Sequence, residues 1–326
     1  MLVSIVIPCY NSESTIEKVV DLCVEQFGQM PEYECEFVLV NDCSPKDNTY
    51  RAIRRCAERY PFVKGVNFAK NFGQHNAIMA ALRYAKGDLI VGMDDDLQTH
   101  PSQLPILLDK MAEGYDVVFG VYEKRAFNWF KNLTSEIAAF ITWHLVSRPK
   151  GIEASNYWVI RKYVRDQVIK YTSNEIYLSM LFFRTTSNVG NVKITHFSRE
   201  SGTSNYTFFK GLKLFMTFLN FTVLPLRLAT VFGAAFSFVG LLSALLTIIR
   251  KLLDPTIQSG WSSLMSVILI LFGFTFLMLG VIGEYVGNLI QDSTHSPQYV
   301  VRETVNIDPE GEKKTLPEAC GSGQVK

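Results

Sequence analysis

Residues 89–98 read LIVGMDDDLQ, an apolar run that ends in three adjacent aspartates. A continuous apolar run of this length is typical of a strand that is buried on both faces of a parallel sheet. Two earlier runs have the same form: Val3–Ile7 is ended by Pro8, and Phe37–Val40 is followed at once by Asn41 and Asp42. The sequence therefore predicts buried strands with polar residues at their carboxyl ends.

Helical segments alternate with these strands over the first 120 residues or so, which predicts an α/β fold with a mainly parallel sheet covered on both faces. Ligands of such sheets bind beyond the carboxyl ends of the strands. Asp42, Asn71 and the aspartate triplet all fall at those ends. The expected helices begin after Asn11-Ser12 and cover about Asn48–Tyr60, Asn76–Ala85 and Gln103–Glu113, and the remaining strands are Val63–Phe68, Leu89–Met93 and Asp116–Val121.

The aspartate triplet is a candidate metal site. In an extended segment alternate side chains share a face, so Asp94, Asp96 and Gln98 are expected to point together while Asp95 points away. Two carboxylates and an amide oxygen are hard ligands that suit Mg²⁺ or Mn²⁺. A solvated acidic loop is the alternative. The sequence contains neither a P-loop nor a dinucleotide-binding glycine motif.

Two uncharged apolar stretches, Leu228–Ile249 and Leu264–Gly283, lie towards the C-terminus. Each has roughly the 20 residues that a helix needs to cross a bilayer, so they predict two transmembrane helices. A pair of helices buried in a soluble core is the alternative. The linker Arg250–Ser263 is short and contains Pro255, which indicates a turn between antiparallel spans.

Topology and composition favour a cytoplasmic catalytic side. No signal peptide is recognised after Met1, and two spans return the chain to its starting side. The basic residues around the spans give a mixed signal. Six cysteines without a C-x-x-C pair fit free thiols in a reducing compartment, and a formal net charge of +1 argues against nucleic acid as a partner.

Several of these segments together resemble one enzyme family. They are IVIPCYNSE, VNDCS, KNFGQHNAIMAAL and MDDDLQ, followed by the paired apolar stretches. The set is similar to the polyprenyl-phosphate glycosyltransferases of the GT-A family 2 type, which include dolichyl-phosphate mannose synthase, bactoprenol glucosyltransferase and undecaprenyl-phosphate aminoarabinose transferase. The resemblance covers roughly residues 1–303.

The resemblance implies a GT-A fold, a nucleotide-sugar donor (UDP- or GDP-linked) and a divalent metal. It implies that Pro8, Tyr10, Glu13 and Asp42 bind the donor nucleotide, with Asp42 accepting from a base N–H. The metal-binding D-x-D-x-Q pattern falls on Asp94, Asp96 and Gln98. Arg199 corresponds to a basic residue near the phosphates, and a guanidinium suits that task.

The chain departs from the family pattern at two places. Asn205 stands where a lysine is usual. In place of a G-D-F-R string the chain has Ser155, Asn156, Tyr157 and Trp158, so the position of a proposed catalytic base is Asn156.

Asn156 cannot take a proton. Either the ionised acceptor phosphate needs no base and Asn156 orients a substrate, or Glu153 has taken the role, or activity is lost.

The remaining assignments concern the membrane side. Residues 206–227 are expected to form a basic, aromatic amphipathic helix at the lipid surface, or an ordinary packed helix. Lys124 and Arg125 are candidates to meet the acceptor phosphate. Glu284 is expected at the interface or paired inside a homo-oligomer. His75, His100, His144 and His196 show no metal spacing and are interpreted as structural.

The expected organisation is a cytoplasmic GT-A domain (1–205), the amphipathic helix (206–227), a transmembrane hairpin (228–290) and a cytoplasmic tail (291–326) that is disordered after about 305. The expected function is transfer of one sugar, with inversion, from a nucleotide sugar to undecaprenyl or dolichyl phosphate at the inner membrane, for cell-envelope glycan assembly. The rivals are a processive polysaccharide synthase, a soluble-sugar transferase and an inactive membrane scaffold.

Overall fold

The computed structural model describes residues 1–122, 151–173, 176–195, 260–293 and 297–307, with the isolated positions 149, 238, 242, 249 and 253. Lys124, Arg125, Arg199, Asn205 and the predicted amphipathic helix over 206–227 lie outside the described residues, as does nearly all of Leu228–Ile249. The chain divides into two compact units: residues 1–205 with 297–326, and residues 206–296.

Strands and helices alternate through the first unit as the sequence predicts, and the observed ends differ from the expected ones by a few residues at most. The strands are β1 (Leu2–Cys9), β2 (Glu34–Asn41), β3 (Val63–Phe68), β4 (Leu89–Gly92), β5 (Val117–Tyr122), β6 (Trp158–Arg161), β7 (Val189–Ile194) and β8 (Val301–Val305). The helices are α1 (Ile16–Gly28), α2 (Thr49–Arg59), α3 (Gln74–Tyr84), α4 (Leu104–Ala112), α5 (Lys162–Val168), α6 (Leu178–Thr185) and α7 (Trp261–Ser293).

The eight strands form one mixed sheet in the order β7-β5-β6-β4-β1-β2-β3-β8. β1 pairs in parallel with β2 and β4, so the chain reverses its direction of growth across the sheet at β1. Such a switch point is where open α/β sheets bind ligands. β6 runs antiparallel between β4 and β5, which brings the segment before β6 next to the end of β4.

The strands form because their side chains are buried on both faces. Val3, Ile5, Val6 and Ile7 of β1 are fully buried; helices α1 and α2 share a core with Val3, Ile5 and Ile7, and helix α3 also packs on β1. Burying a side chain of this size stabilises a fold by roughly 1.5–3 kcal/mol. The free cysteines Cys9, Cys23 and Cys56 are buried among these residues.

A buried polar network fixes the amino ends of the central strands. The carboxylate of Glu36 accepts from the hydroxyl of Ser4 at 2.5 Å and from the ammonium of Lys64 at 2.6 Å, and it also accepts from the backbone N–H of Lys86. Ser4 in turn accepts from the N–H of Gly87 at 2.7 Å. The network ties β1, β2, β3 and the start of β4 together.

The segment after α7 returns to the sheet. Val301–Val305 forms the edge strand β8, antiparallel to β3. Just before it, Arg83 at the end of α3 donates to the side-chain oxygen Oε1 of Gln298 at 2.8 Å and to the hydroxyl of Tyr299 at 3.1 Å. The Tyr299 ring stacks on Phe68 with centroids 5.1 Å apart. Residues 297–307 are therefore part of the first unit.

Helix α7 covers the whole of the second predicted span, Leu264–Gly283, so a helix is present there. Among the described residues, however, none of the helices has the combined length and apolar character that a membrane crossing requires. The two transmembrane helices expected from the sequence stay a prediction.

Candidate active site

A cleft of about 310 Å³ opens where the carboxyl ends of β1, β2 and β4 meet. We call it the donor cleft. It brings together most of the site residues that the sequence indicates, namely Pro8, Tyr10, Asp42, Asn71, Asp94, Asp96 and Asn156. The cleft also includes Cys9, Gly73 and Gln74, which the sequence analysis did not name as site residues. Asp95, which the sequence analysis expected to point away, lines the cleft as well.

Asp94 lines the cleft and is held by two side-chain amides. Gln74 donates to its Oδ1 at 2.9 Å, and Asn156 donates to its Oδ2 at 3.1 Å. The antiparallel β4–β6 ladder explains the second bond: its last pair is Gly92 with Trp158, so Asp94, two residues after Gly92, lies opposite Asn156, two residues before Trp158. Both amides are neutral, so they orient the carboxylate without neutralising its charge.

Asp95 points away from Gln74 and Asn156, as the sequence analysis expects, but it also makes hydrogen bonds that shape the cleft. Its Oδ2 accepts from the backbone N–H of Tyr10 at 3.1 Å and from the hydroxyl of Ser12. Burial raises the pKa of Asp95, although both of these hydrogen bonds lower it. Asp95 therefore joins the loop after β1 to the loop after β4, the two loops that line the donor cleft.

The expectation of an extended segment from Asp94 to Gln98 is wrong. The chain turns there: Leu97 has a φ of 65°, and the N–H of Gln98 donates to Oδ1 of Asp96 at 3.1 Å. The carbonyl of Gln98 accepts from the hydroxyl of Tyr122 at 3.2 Å. Gln98 is not among the described residues that line the cleft, because the turn takes it out of the alternation that an extended strand would give.

Asp94 and Asp96 could bind a divalent cation only if a bound substrate or water molecules supplied its other ligands. Within the described part of the chain, no group of three or more His, Cys, Asp or Glu side chains could hold a metal by itself. Asp94 and Asp96 nevertheless line one cleft. Mg²⁺ is commonly bound by one or two carboxylates while waters and substrate phosphates complete its shell. The two aspartates fit that kind of site.

The carboxylate of Asp42 is hydrogen-bonded to backbone groups of the same chain. Its two carboxylate oxygens accept from the backbone N–H groups of Phe72 at 2.7 Å and Gly73 at 2.9 Å. Gly73 has a φ of 90°, a conformation that glycine adopts without strain, and it caps the start of α3. Burial raises the pKa of Asp42, although these two hydrogen bonds lower it. Asp42 thus fixes the turn that places Gln74 in the cleft.

Two predicted site residues lie elsewhere. Glu13 accepts from the backbone N–H of Asn48 at 2.9 Å, which ties it to the start of α2. The Asn191 side chain makes two hydrogen bonds to the backbone of Glu153. Its Oδ1 accepts from the Glu153 N–H at 2.7 Å, and its Nδ2 donates to the Glu153 carbonyl oxygen at 2.7 Å. Neither glutamate is among the described residues that line the donor cleft.

Gln74 is the clearest residue that the sequence analysis missed. It is the first residue of α3, directly after Gly73 in the quoted KNFGQHN segment. A glycine before a helix that follows a parallel strand places the first helical residues at the carboxyl edge of the sheet, and that signal is present in the sequence.

Comparison with known proteins agrees with this geometry. Residues 4–184 match the glycosyl transferase family 2 profile. The chain belongs to glycosyl transferase family 2. Residues 224–289 match a second profile, the GtrB C-terminal hairpin.

The similar proteins cover nearly the whole chain. An undecaprenyl-phosphate 4-deoxy-4-formamido-L-arabinose transferase from Shewanella sediminis is 31% identical over 92% of both chains. The uncharacterized glycosyltransferase YkcC from Bacillus subtilis is also 31% identical, over 94% of both. Among solved structures, mannosyl-3-phosphoglycerate synthase from Rubrobacter xylanophilus shares the fold with a TM-score of 0.51 and 15% identity, over 70% of this chain and 74% of that one.

Proposed function

We propose that this glycosyltransferase is a membrane-attached, inverting enzyme that moves one sugar from a nucleoside diphosphate sugar to a polyprenyl phosphate. The observation that carries the proposal is the donor cleft itself. Four aspartates, an exposed aromatic ring and three side-chain amides line the carboxyl edge of the sheet in a family 2 chain.

Each side chain has a role in binding the donor. Tyr10 is 48% exposed and offers a ring face to the base, while Asp95 fixes its backbone. Asp94 and Asp96 would hold Mg²⁺ or Mn²⁺ together with the donor diphosphate. Such a cation stabilises the negative charge on a departing nucleoside diphosphate. Gln74 and Asn156 keep Asp94 oriented toward that position.

The reaction does not need a base at residue 156. A phosphate monoester has a second pKa near ~6, so the acceptor is mostly ionised at pH 7 and is already a nucleophile. The Asn156 amide is engaged with Asp94, a task that suits a donor rather than a proton acceptor. Lys124, Arg125 and Arg199 are proposed to meet the phosphates.

The acceptor and the membrane are inferred from the second unit. Relatives that match over most of the chain are named as undecaprenyl-phosphate transferases, and the hairpin profile covers residues 224–289. We propose that residues 206–290 attach the enzyme to the inner membrane. The first unit, which holds the donor cleft and which we call the catalytic unit, contains sequence from before and after this segment. This supports a location on the same side of the membrane for both flanking parts, and we propose that this side is the cytoplasm.

The test is transfer by the purified full-length chain in lipid nanodiscs. Undecaprenyl phosphate, Mg²⁺ or Mn²⁺ and a panel of UDP- and GDP-sugars are supplied, and glycolipid and free nucleoside diphosphate are both measured. We expect one donor to give glycolipid and nucleoside diphosphate in equal amounts. Release of nucleoside diphosphate without any glycolipid would contradict the lipid acceptor.

A catalytically impaired scaffold is the second candidate, favoured by asparagine at position 156. It would bind a nucleotide sugar in the donor cleft, yet it would neither hydrolyse nor transfer the sugar. Equilibrium binding in the same nanodiscs separates the two, because tight binding with no turnover on any donor supports the scaffold.

A further inference from the structure

A second, smaller cavity of about 60 Å³ shares Asn156 with the donor cleft. We call it the inner cavity. Its wall comes from the first turns of α3, the segment before β6, and helix α6 with the residue before it. The residues on which the argument rests are His75, Ser155, Asn156, Trp158, Tyr177 and Ser179.

The walls of the inner cavity are aromatic and uncharged. Trp158 is almost fully buried and meets Phe182 edge-on at 5.0 Å, and His75 meets Tyr177 edge-on at 5.3 Å. Of the described residues that line the cavity, none is an aspartate, glutamate, lysine or arginine. Burial lowers the pKa of His75, so its imidazole is neutral at pH 7. A charged group entering this cavity would lose its hydration without gaining a counter-charge.

One polar atom in the wall has no partner. Nδ1 of His75 is buried and makes no hydrogen bond within the described part of the chain. Buried polar atoms are usually hydrogen-bonded, and an exception calls for an explanation. A rotation of the His75 ring would present this atom to a hydroxyl or amide group of a ligand in the cavity, which would supply the missing bond.

Two residues of the segment that enters β6, Asn156 and Trp158, line the inner cavity, and both are uncharged. The Trp158 ring takes the space above Gly92, where an added Cβ would come within 2.1 Å of it. The indole therefore fixes the shape of this wall and brings no charge to it.

We propose that the inner cavity receives an uncharged, compact substituent of the donor sugar and thereby selects the sugar that this enzyme transfers. The inference rests on the proposed function, because it places the sugar beyond Asn156 when the nucleoside diphosphate lies in the donor cleft. Hydroxymethyl, methyl and N-acyl groups have the required size and charge, whereas carboxylate and ammonium groups do not.

Binding of sugar and nucleotide can be separated by calorimetry on the full-length chain in nanodiscs. The probes are UDP and GDP alone, and UDP- and GDP-sugars that carry a neutral, an N-acetylated, a carboxylated or an amino substituent. We expect wild type to bind the best neutral donor at least roughly tenfold more tightly than its charged counterparts. Equal affinity for charged and neutral donors would overturn the proposal.

Ser179→Leu fills the cavity from α6, and Ser187→Leu makes the same change at an exposed position outside it. We expect Ser179→Leu to weaken binding of the preferred nucleotide sugar by roughly tenfold or more while nucleoside diphosphate affinity stays within about twofold. Ser187→Leu should change neither. A Ser179→Leu protein that retains full affinity for the sugar donor refutes the assignment.

Two further measurements keep the outcomes distinct. If Ser179→Leu fails to fold, Ser179→Val makes a smaller change with the same expected direction, and His75→Leu should lower the preference for hydroxyl and N-acyl over methyl substituents. Wild-type protein that binds no nucleoside diphosphate at all would defeat the proposed function as well. Normal transfer with an unaltered sugar preference in these variants would defeat only the inner-cavity inference.

Discussion

The Asn156 side chain donates a hydrogen bond to Oδ2 of Asp94 across 3.1 Å, which links β6 to the carboxylate at the end of β4. The antiparallel register of these strands sets the two residues opposite each other. With Gln74 on the other oxygen, Asp94 has an amide donor on each side. Asn156 thus orients a candidate metal ligand.

The first prediction concerns Asn156→Asp. This change places a second carboxylate against Asp94, where like charges disfavour each other unless a cation lies between them. We expect lower thermal stability without divalent cation, recovered when Mg²⁺ or Mn²⁺ is added. The transfer rate should change by less than the roughly 10²–10⁴-fold that a general base supplies. Thermal unfolding and initial rates with and without metal measure both effects.

A second variant, Glu153→Gln, tests whether Glu153 acts as a general base. The wild-type rate should rise as pH passes the acceptor's phosphate pKa near ~6 and then level off, because no protein base has to titrate. A rate that collapses in Glu153→Gln would show that Glu153 is the base. An Asn156→Asp protein that gains activity from an inactive wild type would favour the scaffold.

The second prediction concerns Asp96. Asp96→Ala removes one of the two candidate metal-binding carboxylates of the donor cleft, so transfer should be lost while the fold remains intact. Asp109→Ala, at an exposed position of α4, is the matched control and should keep full activity. Wild-type turnover that persists in excess EDTA would reject metal dependence, as would normal turnover by Asp96→Ala.

The sequence predicts the local features of this site better than its distant contacts. The apolar runs locate β1, β2 and β4 because burial on both faces removes polar positions from them. The bond between Asp94 and Asn156 depends on β6 entering the sheet antiparallel beside β4, a pairing between segments more than 60 residues apart. No local pattern encodes that pairing.

Two other features escape the sequence for different reasons. The turn at Leu97 replaces the expected extended segment, and a left-handed conformation is rare for leucine, so composition gives no warning of it. Residues 297–307 fall within the segment 291–326 that the sequence analysis assigns to a tail, but pairing of β8 with β3 and the Arg83 contacts with Gln298 and Tyr299 hold them on the sheet.

The third prediction concerns the pH dependence of stability. Burial alone would raise the pKa of Glu36, but hydrogen bonds from Lys64, Ser4 and Lys86 outweigh it, and the pKa is lowered. A carboxyl with a lowered pKa stabilises the fold above its unfolded pKa, about 4.3, and loses that effect as pH falls through the folded value.

Glu36→Gln should therefore lower the free energy of unfolding by about 1–3 kcal/mol at pH 7. The gap from wild type should narrow below about pH 4, since the wild-type carboxyl is then protonated. Glu34→Gln, at an exposed position of the same strand, controls for the substitution. Denaturant unfolding followed by tryptophan fluorescence measures the gap, and a gap that does not vary with pH would contradict the prediction.

The fourth prediction concerns topology. Backbone pairing of β8 with β3, and the N–H of Ala69 donating to the carbonyl of Val300 at 2.9 Å, place the chain after residue 297 in the catalytic unit. Because a membrane cannot separate two paired strands, any segment between 206 and 296 that enters the bilayer must leave it on the same side. Residue 259, in the linker of the proposed hairpin, should then face outward.

Cysteine labelling in intact cells tests this arrangement. Ser259→Cys and Ser322→Cys are introduced separately into a Cys320→Ser background and exposed to a membrane-impermeant maleimide. We expect Ser259→Cys to react from outside and Ser322→Cys to react only after permeabilisation, since an even number of crossings returns the tail to the catalytic side. Labelling of Ser322→Cys in intact cells would require an odd number of crossings, and absence of labelling at both positions would mean that the hairpin does not cross.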